Sequence, residues 1–269
     1  MDNFNLYRPV APTLPAAPYV GGKRQLAKTL IERIEAITHE LYGEAFVGMG
    51  GVFLRRRFAA RAEVINDRSR DVATFFRVLQ RHYQAFMDML KWQLTSRAEF
   101  ERLTAVEADT LTDLERAARF LYLQRLAFGG KVAGRNFGIS TTGPARFDTT
   151  KLGVLLEAIH ERLAGVTIEC LDWRDFLDRW DRPTSLFYLD PPYLGTEKFY
   201  GKELFPPADH RALAKVLRAL KGRFILTMND TAEARSIYGG FRLETAELSY
   251  TLAGTDKARA APEIIVSNG

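Results

Sequence analysis

Four consecutive residues combine the groups needed to bind a planar amine, Asp190-Pro191-Pro192-Tyr193. They follow residues 185–189, an apolar run with the composition of a buried strand. Because two prolines fix the backbone after this strand, the Asp190 carboxylate and the Pro191 carbonyl can both point away from the sheet edge. Two acceptors at a fixed separation suit an exocyclic amine, and the Tyr193 ring offers a flat face for stacking. We predict that these residues are catalytic; the alternative is a rigid turn with a buried aspartate.

A second group of residues is typical of a nucleoside site. A glycine-rich turn that contains Gly48 and Gly50 follows residues 45–47, which we interpret as a strand. Asp67 comes nineteen residues after Gly48, at the end of the next predicted strand, where a carboxylate can accept hydrogen bonds from ribose hydroxyls. A turn alone would indicate no more than a helix cap. Strand, turn and acid in this order predict a nucleoside cofactor.

A basic segment, residues 116–147, carries six Lys or Arg residues and no Asp or Glu. Mixed with aromatic residues and glycines, such a run is typical of phosphate binding, although a solvated helix face followed by a loop would look similar. Arg125 ends an otherwise apolar helical stripe, so it could meet DNA or form a buried salt bridge. The predicted DNA-binding residues are Arg116, Arg119, Arg125, Phe128, Lys131 and Arg135.

The elements that position these groups follow from hydrophobic periodicity. Four prolines at intervals of three in residues 1–18 predict an extended arm, and apolar residues spaced from Leu26 to Leu41 predict an amphipathic helix. Short buried strands are predicted at residues 45–47, 63–65, 166–168, 186–189, 224–227 and 264–266. Amphipathic segments separate several of them. This alternation predicts an α/β fold with a mostly parallel sheet and helices on both faces.

One long gap interrupts the alternation. About a hundred residues separate the predicted strand that ends near Asn66 from the one that begins near Val166, whereas a βα unit needs only about 30. The gap begins with helical spacing from Val72 to Leu90 and ends in a glycine-rich loop. We predict a catalytic domain formed by residues 1–70 and 150–269, with a mainly helical recognition insert at residues 71–149.

Composition excludes several function classes. The chain has 269 residues, 46% hydrophobic and 26% charged, which is typical of a globular protein. A single cysteine, Cys170, excludes an internal disulfide, and four scattered histidines argue against a metal enzyme. No apolar run has the length of a membrane span, so we expect an intracellular protein without membrane contact. The formal charge of +5 favours a polyanionic partner.

These motifs, in this order and with a large insert between them, resemble those of the alpha-class, Dam-type DNA adenine N6-methyltransferases, many of them encoded by phages. Tyr19-Val20-Gly21-Gly22-Lys23 is similar to the family's aromatic-x-Gly-Gly-Lys element, whose lysine and aromatic residue lie at the cofactor. Asp172-Trp173 resembles the acidic-aromatic pair that holds the cofactor adenine. Residues 224–230 and 263–268 are similar to the family's later strands.

The resemblance implies a Rossmann-like methyltransferase sheet, S-adenosylmethionine as cofactor and a flipped adenine in duplex DNA as acceptor. We expect no metal and a place in the bacterial cytoplasm at the nucleoid, in a phage or restriction-modification setting; the oligomeric state stays open, with a monomer favoured over a dimer. The implied cofactor-binding residues are Tyr19, Gly22, Lys23, Phe46, Gly48, Gly50, Asp67, Asp172, Trp173 and Asp190.

Some residues depart from the family pattern. The family usually has Trp at the position of Tyr19 and Pro at the position of Ala45. Residues 124–130 are only loosely similar to the Asn-Arg-aromatic stretch that serves DNA recognition in the Dam branch. We therefore do not predict recognition of GATC.

The mechanism expected from the residues is direct transfer. Acceptors at Asp190 and Pro191 would draw on both N–H bonds of the amine and leave its lone pair free to attack, so no cysteine nucleophile is needed. The same acceptor pair could serve adenine in RNA, N4 of cytosine or a protein amide, and these alternatives stay open. A non-catalytic DNA-binding protein on this fold is the alternative from another class.

Overall fold

The computed structural model describes residues 6–138, 143–195, 205–246 and 262–269. The strands of the described part are β1 Tyr7–Pro9, β2 Leu41–Glu44, β3 Phe58–Ala60, β4 Ala62–Asn66, β5 Thr167–Glu169, β6 Ser185–Leu189, β7 Arg223–Asn229, β8 Arg242–Ala246 and β9 Glu263–Ser267. The helices are α1 Ala27–Ala36, α2 Arg70–Arg81, α3 Tyr83–Leu90, α4 Arg97–Ala105, α5 Asp113–Leu126, α6 Thr149–Arg162, α7 Trp173–Trp180, α8 Ala208–Ala219 and α9 Ala232–Tyr238.

The central sheet has the strand order β5-β4-β2-β6-β7-β9-β8. The first five strands in this order, β5, β4, β2, β6 and β7, run parallel to one another. Strand β9 pairs antiparallel with both β7 and β8. The middle strand, β6, is buried along its whole length. A strand covered on both faces reads as a continuous apolar run, which explains why its sequence shows no alternation.

Helices cover both faces of the sheet, as predicted. In β6, Leu186 and Tyr188 belong to one buried cluster and Phe187 and Leu189 to the other, because successive side chains point to opposite faces. The first cluster includes residues of α1, α2, α5 and α6, and the second includes residues of α7, α8 and α9. The predicted α/β architecture is confirmed. Within the described ranges, we find no helix with the length and apolar character of a membrane span.

Two predicted elements were placed wrongly. The strand before the glycine-rich turn is β2, not residues 45–47. Residues 45–47 lie past the end of β2, where Ala45 donates one backbone hydrogen bond to Tyr188 and Val47 donates one to Asn66. The first helix, α1, ends at Ala36 because Ile37 is extended, and Leu41 already pairs within the sheet. Leu41, which is half-buried in β2, continued the helical spacing by coincidence.

The predicted insert is helical at its start, but its helices share a core with the sheet. The spacing from Val72 to Leu90 belongs to two helices, α2 and α3, with a break at His82. Helix α5 packs against α2, α3 and α4, while α2 also contacts α6 and β5. The division into residues 71–149 and a catalytic remainder stays a prediction.

The amino-terminal arm is extended and packed. Strand β1 pairs antiparallel with β3, and Val10 and Thr13 donate backbone hydrogen bonds to Arg57 and Leu54. Ala16 and Ala17 are buried. The first five residues of the predicted arm lie outside the described residues.

Candidate active site

A cavity of about 960 Å³ lies at the carboxyl ends of β2, β4 and β6. Its walls include the residues that end or follow these strands, namely Glu44, Asn66 and Asp190. In open α/β sheets, ligands bind at this edge. The cavity also gathers Tyr19, Gly22, Lys23, Phe46, Gly48, Asp67, Trp173 and Pro192 from the predicted site residues.

The glycine-rich turn is held by Asp67. The Asp67 carboxylate accepts hydrogen bonds from the backbone N–H groups of Gly48 (2.9 Å) and Ser69 (2.8 Å). Desolvation raises the pKa of Asp67 to about 6, although the two hydrogen bonds act in the opposite direction. A side chain at Gly48, whose φ is +51°, would start 3.0 Å from the Tyr19 ring. Gly48 therefore lets the turn and the aromatic residue meet at one cavity wall.

The other two predicted glycines have different surroundings. Gly50 has a φ of +76°, and a side chain there would meet Leu54, so this glycine shapes the turn and is absent from the residues described at the cavity wall. Gly22 does line the cavity, where a Cβ atom would lie 3.0 Å from the carbonyl oxygen of Tyr19.

Asp190 lies at the cavity wall and is held by two side chains. Its carboxylate lies 2.8 Å from Lys23 Nζ and accepts a hydrogen bond from the Thr227 hydroxyl at 2.8 Å. Burial raises the pKa of Asp190, while the charge and hydrogen bond of Lys23 act in the opposite direction. Lys23 is 4% exposed and also donates to the carbonyl of Gly21 at 2.6 Å. Lys23, the last residue of the aromatic-x-Gly-Gly-Lys element, therefore holds the Asp190 carboxylate at the cavity wall.

The rest of the motif after β6 packs around this ion pair. The Tyr193 hydroxyl donates to Glu263 at 2.7 Å, and Lys23 Nζ lies 4.7 Å from the centroid of the Tyr193 ring. Pro191 is buried, whereas Pro192 faces the cavity.

The sequence analysis missed Glu44, which lines the same cavity. Glu44 is 2% exposed and accepts a hydrogen bond from the Tyr42 hydroxyl at 2.7 Å. Burial raises the pKa of Glu44 to about 8; Tyr42 and Arg56 lower it, and Asp190 and Glu63 raise it further. An acid at the end of an apolar strand, directly before a glycine-rich turn, was the available signal.

We expect the free energy of unfolding of the protein without ligand to fall between about pH 6.5 and pH 8, above the range in which the lowered pKa of His39 acts in the opposite direction, and Glu44→Gln to flatten this fall. The folded protein holds a proton on Glu44 up to about pH 8, whereas the unfolded chain releases it near its ordinary value of 4.5. Folding therefore takes up a proton in this window and loses about 1.4 kcal/mol of stability per pH unit from this group. Denaturant unfolding at several pH values measures the slope. Equal slopes for wild type and variant would contradict the assignment.

Asp172 and Trp173, the two residues predicted to hold the cofactor adenine, have different surroundings. Asp172 caps α7 by accepting from the N–H of Arg174 at 3.0 Å, and its carboxylate pairs with Arg68. It is absent from the described cavity wall. Trp173 is buried, donates from Nε1 to Asp209 at 3.2 Å and borders the cavity.

Comparisons with known proteins identify the family. A family model described as D12 class N6 adenine-specific DNA methyltransferase matches residues 19–252. The chain belongs to this family. The resemblance to DNA adenine N6-methyltransferases is thereby confirmed, and the enzyme class is a methyltransferase.

Three relatives of the methyltransferase carry consistent names. A type II methyltransferase of Lactococcus lactis subsp. cremoris is 26% identical over 276 residues, which cover 94% of this chain and 95% of the relative. A type II methyltransferase of Paramecium bursaria Chlorella virus NC1A is 20% identical over 229 residues, covering 84% and 87%. The DNA N-6-adenine-methyltransferase of Escherichia phage P1 is 25% identical over 216 residues, covering 75% of this chain and 28% of that protein.

Two predicted DNA-binding arginines of the methyltransferase are used inside the fold. Arg116 pairs with Asp71 at 2.6 Å and with Asp109 at 2.7 Å. Arg119 is buried and donates from Nε to the carbonyl of Leu103 at 2.7 Å. Both side chains are largely buried, at 7% and 9% exposed, and their guanidinium groups already have partners within the fold, which argues against the predicted DNA contacts. The charge of residues 116–147 was counted without Asp71 and Asp109, because both acids lie outside this range in the sequence although they pair with Arg116 in the fold.

Arg125 and Arg135 also support the methyltransferase fold. Arg125 lines the cavity and donates to the carbonyl of Arg146 at 2.9 Å and to that of Ala16. The partners of Arg125 are backbone carbonyls and not the carboxylate of the predicted alternative, a buried salt bridge; its DNA contact stays a prediction. Arg135 donates to Gln124 at 3.3 Å, and burial lowers its pKa.

The segment after α5 forms a hairpin-like turn. Ala127 bridges Phe137, and the N–H of Phe128 donates to the carbonyl of Asn136 at 2.9 Å. Phe128 is 63% exposed, and Lys131 is half-buried. These two residues stay predicted DNA contacts.

Proposed function

We propose that this methyltransferase transfers a methyl group from S-adenosylmethionine to N6 of an adenine that has been flipped out of duplex DNA. The observation that carries the proposal is the Asp190 carboxylate, held by Lys23 and Thr227 at the wall of a cavity that also contains the glycine-rich turn and Asp67. A single cavity can thus accept both methyl donor and base.

The acidic groups of the cavity fit the proposed cofactor. Three carboxyl groups, those of Glu44, Asp67 and Asp190, lie at the ends of neighbouring strands and suit a ligand with cationic and hydroxyl groups. Asp67 is our candidate for the ribose hydroxyls, and Phe46, which packs edge-on against Phe205 at 5.5 Å, is a candidate for stacking. When bound, S-adenosylmethionine supplies an electrophilic methyl group on a sulfonium.

The remaining chemistry belongs to the chain. Asp190 and the carbonyl of Pro191 would accept the two N–H groups of the adenine amine, which frees its lone pair for attack on the methyl carbon. A nitrogen–carbon bond would form as the sulfur–carbon bond breaks, the sulfur would leave as a neutral thioether, and the methylated amine would release one proton to the Asp190 carboxylate or to water. Burial raises the pKa of Asp190, and the charge of Lys23 acts against this rise and so favours the carboxylate form that the acceptor role needs.

A parallel transfer experiment tests the proposed acceptor. Protein and labelled cofactor are offered duplex DNA, structured RNA and an unrelated protein, and single-molecule sequencing then reports the modified base and its context. We expect label in DNA alone, at N6 of adenine. Label in RNA or at N4 of cytosine would overturn the acceptor, and cofactor binding without any transfer would favour a non-catalytic role.

We expect Asp67→Ala to weaken cofactor binding by about 10-fold to 100-fold. The variant loses a charge-assisted hydrogen bond worth about 1.5–3 kcal/mol and also releases the N–H groups of Gly48 and Ser69. Calorimetry measures the affinity. Asp67→Asn keeps one acceptor oxygen and should lose less. Unchanged affinity in Asp67→Ala would mean that the side chain only caps the turn.

A further inference from the structure

A second concave surface lies beside the mouth of the cavity. It has a volume of about 400 Å³ and is formed by the start of α1 and the segment that follows the glycine-rich turn. We call it the basic groove, and its lining residues are Arg24, Ala27, Lys28, Ile31, Glu32, Arg55 and Arg57. Four of these residues are cations, whereas Glu32 is the single carboxylate among them.

The cations of the basic groove are poorly neutralised. Arg24 and Lys28 are exposed, and neither forms an ion pair within the part of the chain that the structure describes. Arg57 is 64% exposed and lies 3.5 Å from Glu35, a long separation for an ion pair that is worth little at a surface. Arg55 donates to the carbonyl of Gly51 rather than to a carboxylate. The groove therefore keeps a positive potential.

Two of these cations repel each other. The pKa of Arg55 is lowered first by burial and then by the nearby charge of Arg24. Holding like charges together is unfavourable in the absence of an anion, and a bound phosphate would relieve this repulsion.

The basic groove is continuous with the candidate active site. Arg24 and Arg55 line both the groove and the cavity, and Arg24 directly follows Lys23, the partner of Asp190. A nucleotide that enters the cavity from a duplex brings its flanking phosphates to the cavity mouth. Since Arg116 and Arg119 are used inside the fold, phosphate neutralisation requires other cations.

We propose that the basic groove binds the phosphates of the DNA strand on one side of the flipped adenine. This inference rests on the proposed function. A contact between these cations and phosphates is electrostatic and independent of the base sequence. The groove and the exposed hairpin-like turn would then hold the DNA strand from two parts of the fold.

The test uses charge removal at groove residues that do not line the cavity. Lys28→Gln, Arg57→Gln and the double variant are compared with the wild type in binding to a fluorescent duplex oligonucleotide at several salt concentrations. We expect the slope of log affinity against log salt to become shallower by about 0.9 for each phosphate that is no longer neutralised, and by about 1.8 in the double variant. The KM for DNA should rise at constant kcat, and the cofactor affinity should stay unchanged.

Lys215→Gln is the matched control. Lys215 is exposed on α8 and lines neither the cavity nor the basic groove, so its removal costs the same formal charge elsewhere. Its salt slope should equal that of the wild type. If all groove variants kept the wild-type salt slope while the wild type methylates DNA, the proposal for the basic groove would be overturned and the proposed function would stand.

Two further outcomes separate the two proposals. Shallower slopes in the groove variants, with a wild type that binds DNA but transfers no methyl group, would support the groove and overturn the proposed function. Equal weakening by Lys215→Gln and by the groove variants would overturn the groove, because net charge alone would then explain the effect. Free inorganic phosphate should compete only weakly, since it offers a single anion to four cations.

Discussion

Asp190→Ala will abolish methyl transfer, with a rate below about one hundredth of the wild type, and will change cofactor affinity much less. Removing one preorganised polar group at a reacting centre typically costs about 100-fold to 1000-fold in rate. In this protein the group is the carboxylate that Lys23 and Thr227 hold at the cavity wall. Single-turnover transfer to duplex DNA measures the rate, and calorimetry measures cofactor binding.

The controls for Asp190→Ala address its buried partner. Alanine leaves the Lys23 ammonium without its carboxylate, and breaking a buried ion pair costs about 3–5 kcal/mol of stability. Asp190→Asn keeps the volume and one acceptor oxygen, so it should fold better and still lose most of the rate. Asp178→Ala, on an exposed position of α7, should retain full activity. A rate above about one tenth of the wild type in Asp190→Ala would contradict the assignment, because the carboxylate would then contribute less than about 1.4 kcal/mol.

The parts of the site that could be predicted are those written in contiguous residues. Strand β6, the two prolines and Asp190 follow one another in the chain, so local rules for strands and turns were sufficient. The same holds for Gly48 and Asp67, which follow successive parallel strands and must therefore meet at one edge of the sheet.

Pairings between distant segments could not be predicted from local patterns. Lys23 meets Asp190 only because α1 begins beside the carboxyl end of β6, and Thr227 reaches the same carboxylate from β7. The resemblance placed Lys23 near the cofactor and did not name its partner. Charge counts fail for the same reason, since the acids that neutralise Arg116 lie outside the window that was counted.

The basic groove shows the converse case. Its cations come from two short segments, Arg24 and Lys28 at α1 and Arg55 and Arg57 after the glycine-rich turn. Three consecutive arginines, Arg55 to Arg57, stand out in the sequence, but only the structure shows that Arg56 is paired with Glu63 inside the fold while its two neighbours line the groove. Folding brings the four charges to one concave surface. A positive surface assembled in this way can be found only from the structure.

The pairing of Lys23 with Asp190 leads to a pH-dependent expectation for Lys23→Met. The pKa of Asp190 is raised by burial and held down by the charge and hydrogen bond of Lys23. Without the ammonium group, the pKa of the carboxyl rises further, and the protonated carboxyl can no longer accept its N–H group of the amine as an anion. Because the active form is the carboxylate, activity is lost on the acidic side of this pKa. The acidic limb of the kcat–pH profile should therefore move to higher pH.

The measurement is kcat from about pH 6 to pH 9.5 with saturating DNA and cofactor, so that weakened binding does not enter. We expect the kcat of Lys23→Met relative to the wild type to be lowest at the acidic end of this range, where each pKa unit by which the limb moves costs about 10-fold, and to recover toward pH 9.5. Lys23→Arg keeps the charge beside Asp190 and should keep the position of the limb, even if its bulk lowers the rate. A role of Lys23 in packing alone would lower kcat equally at every pH. An unshifted acidic limb in Lys23→Met would therefore show that Lys23 does not set the ionisation of Asp190.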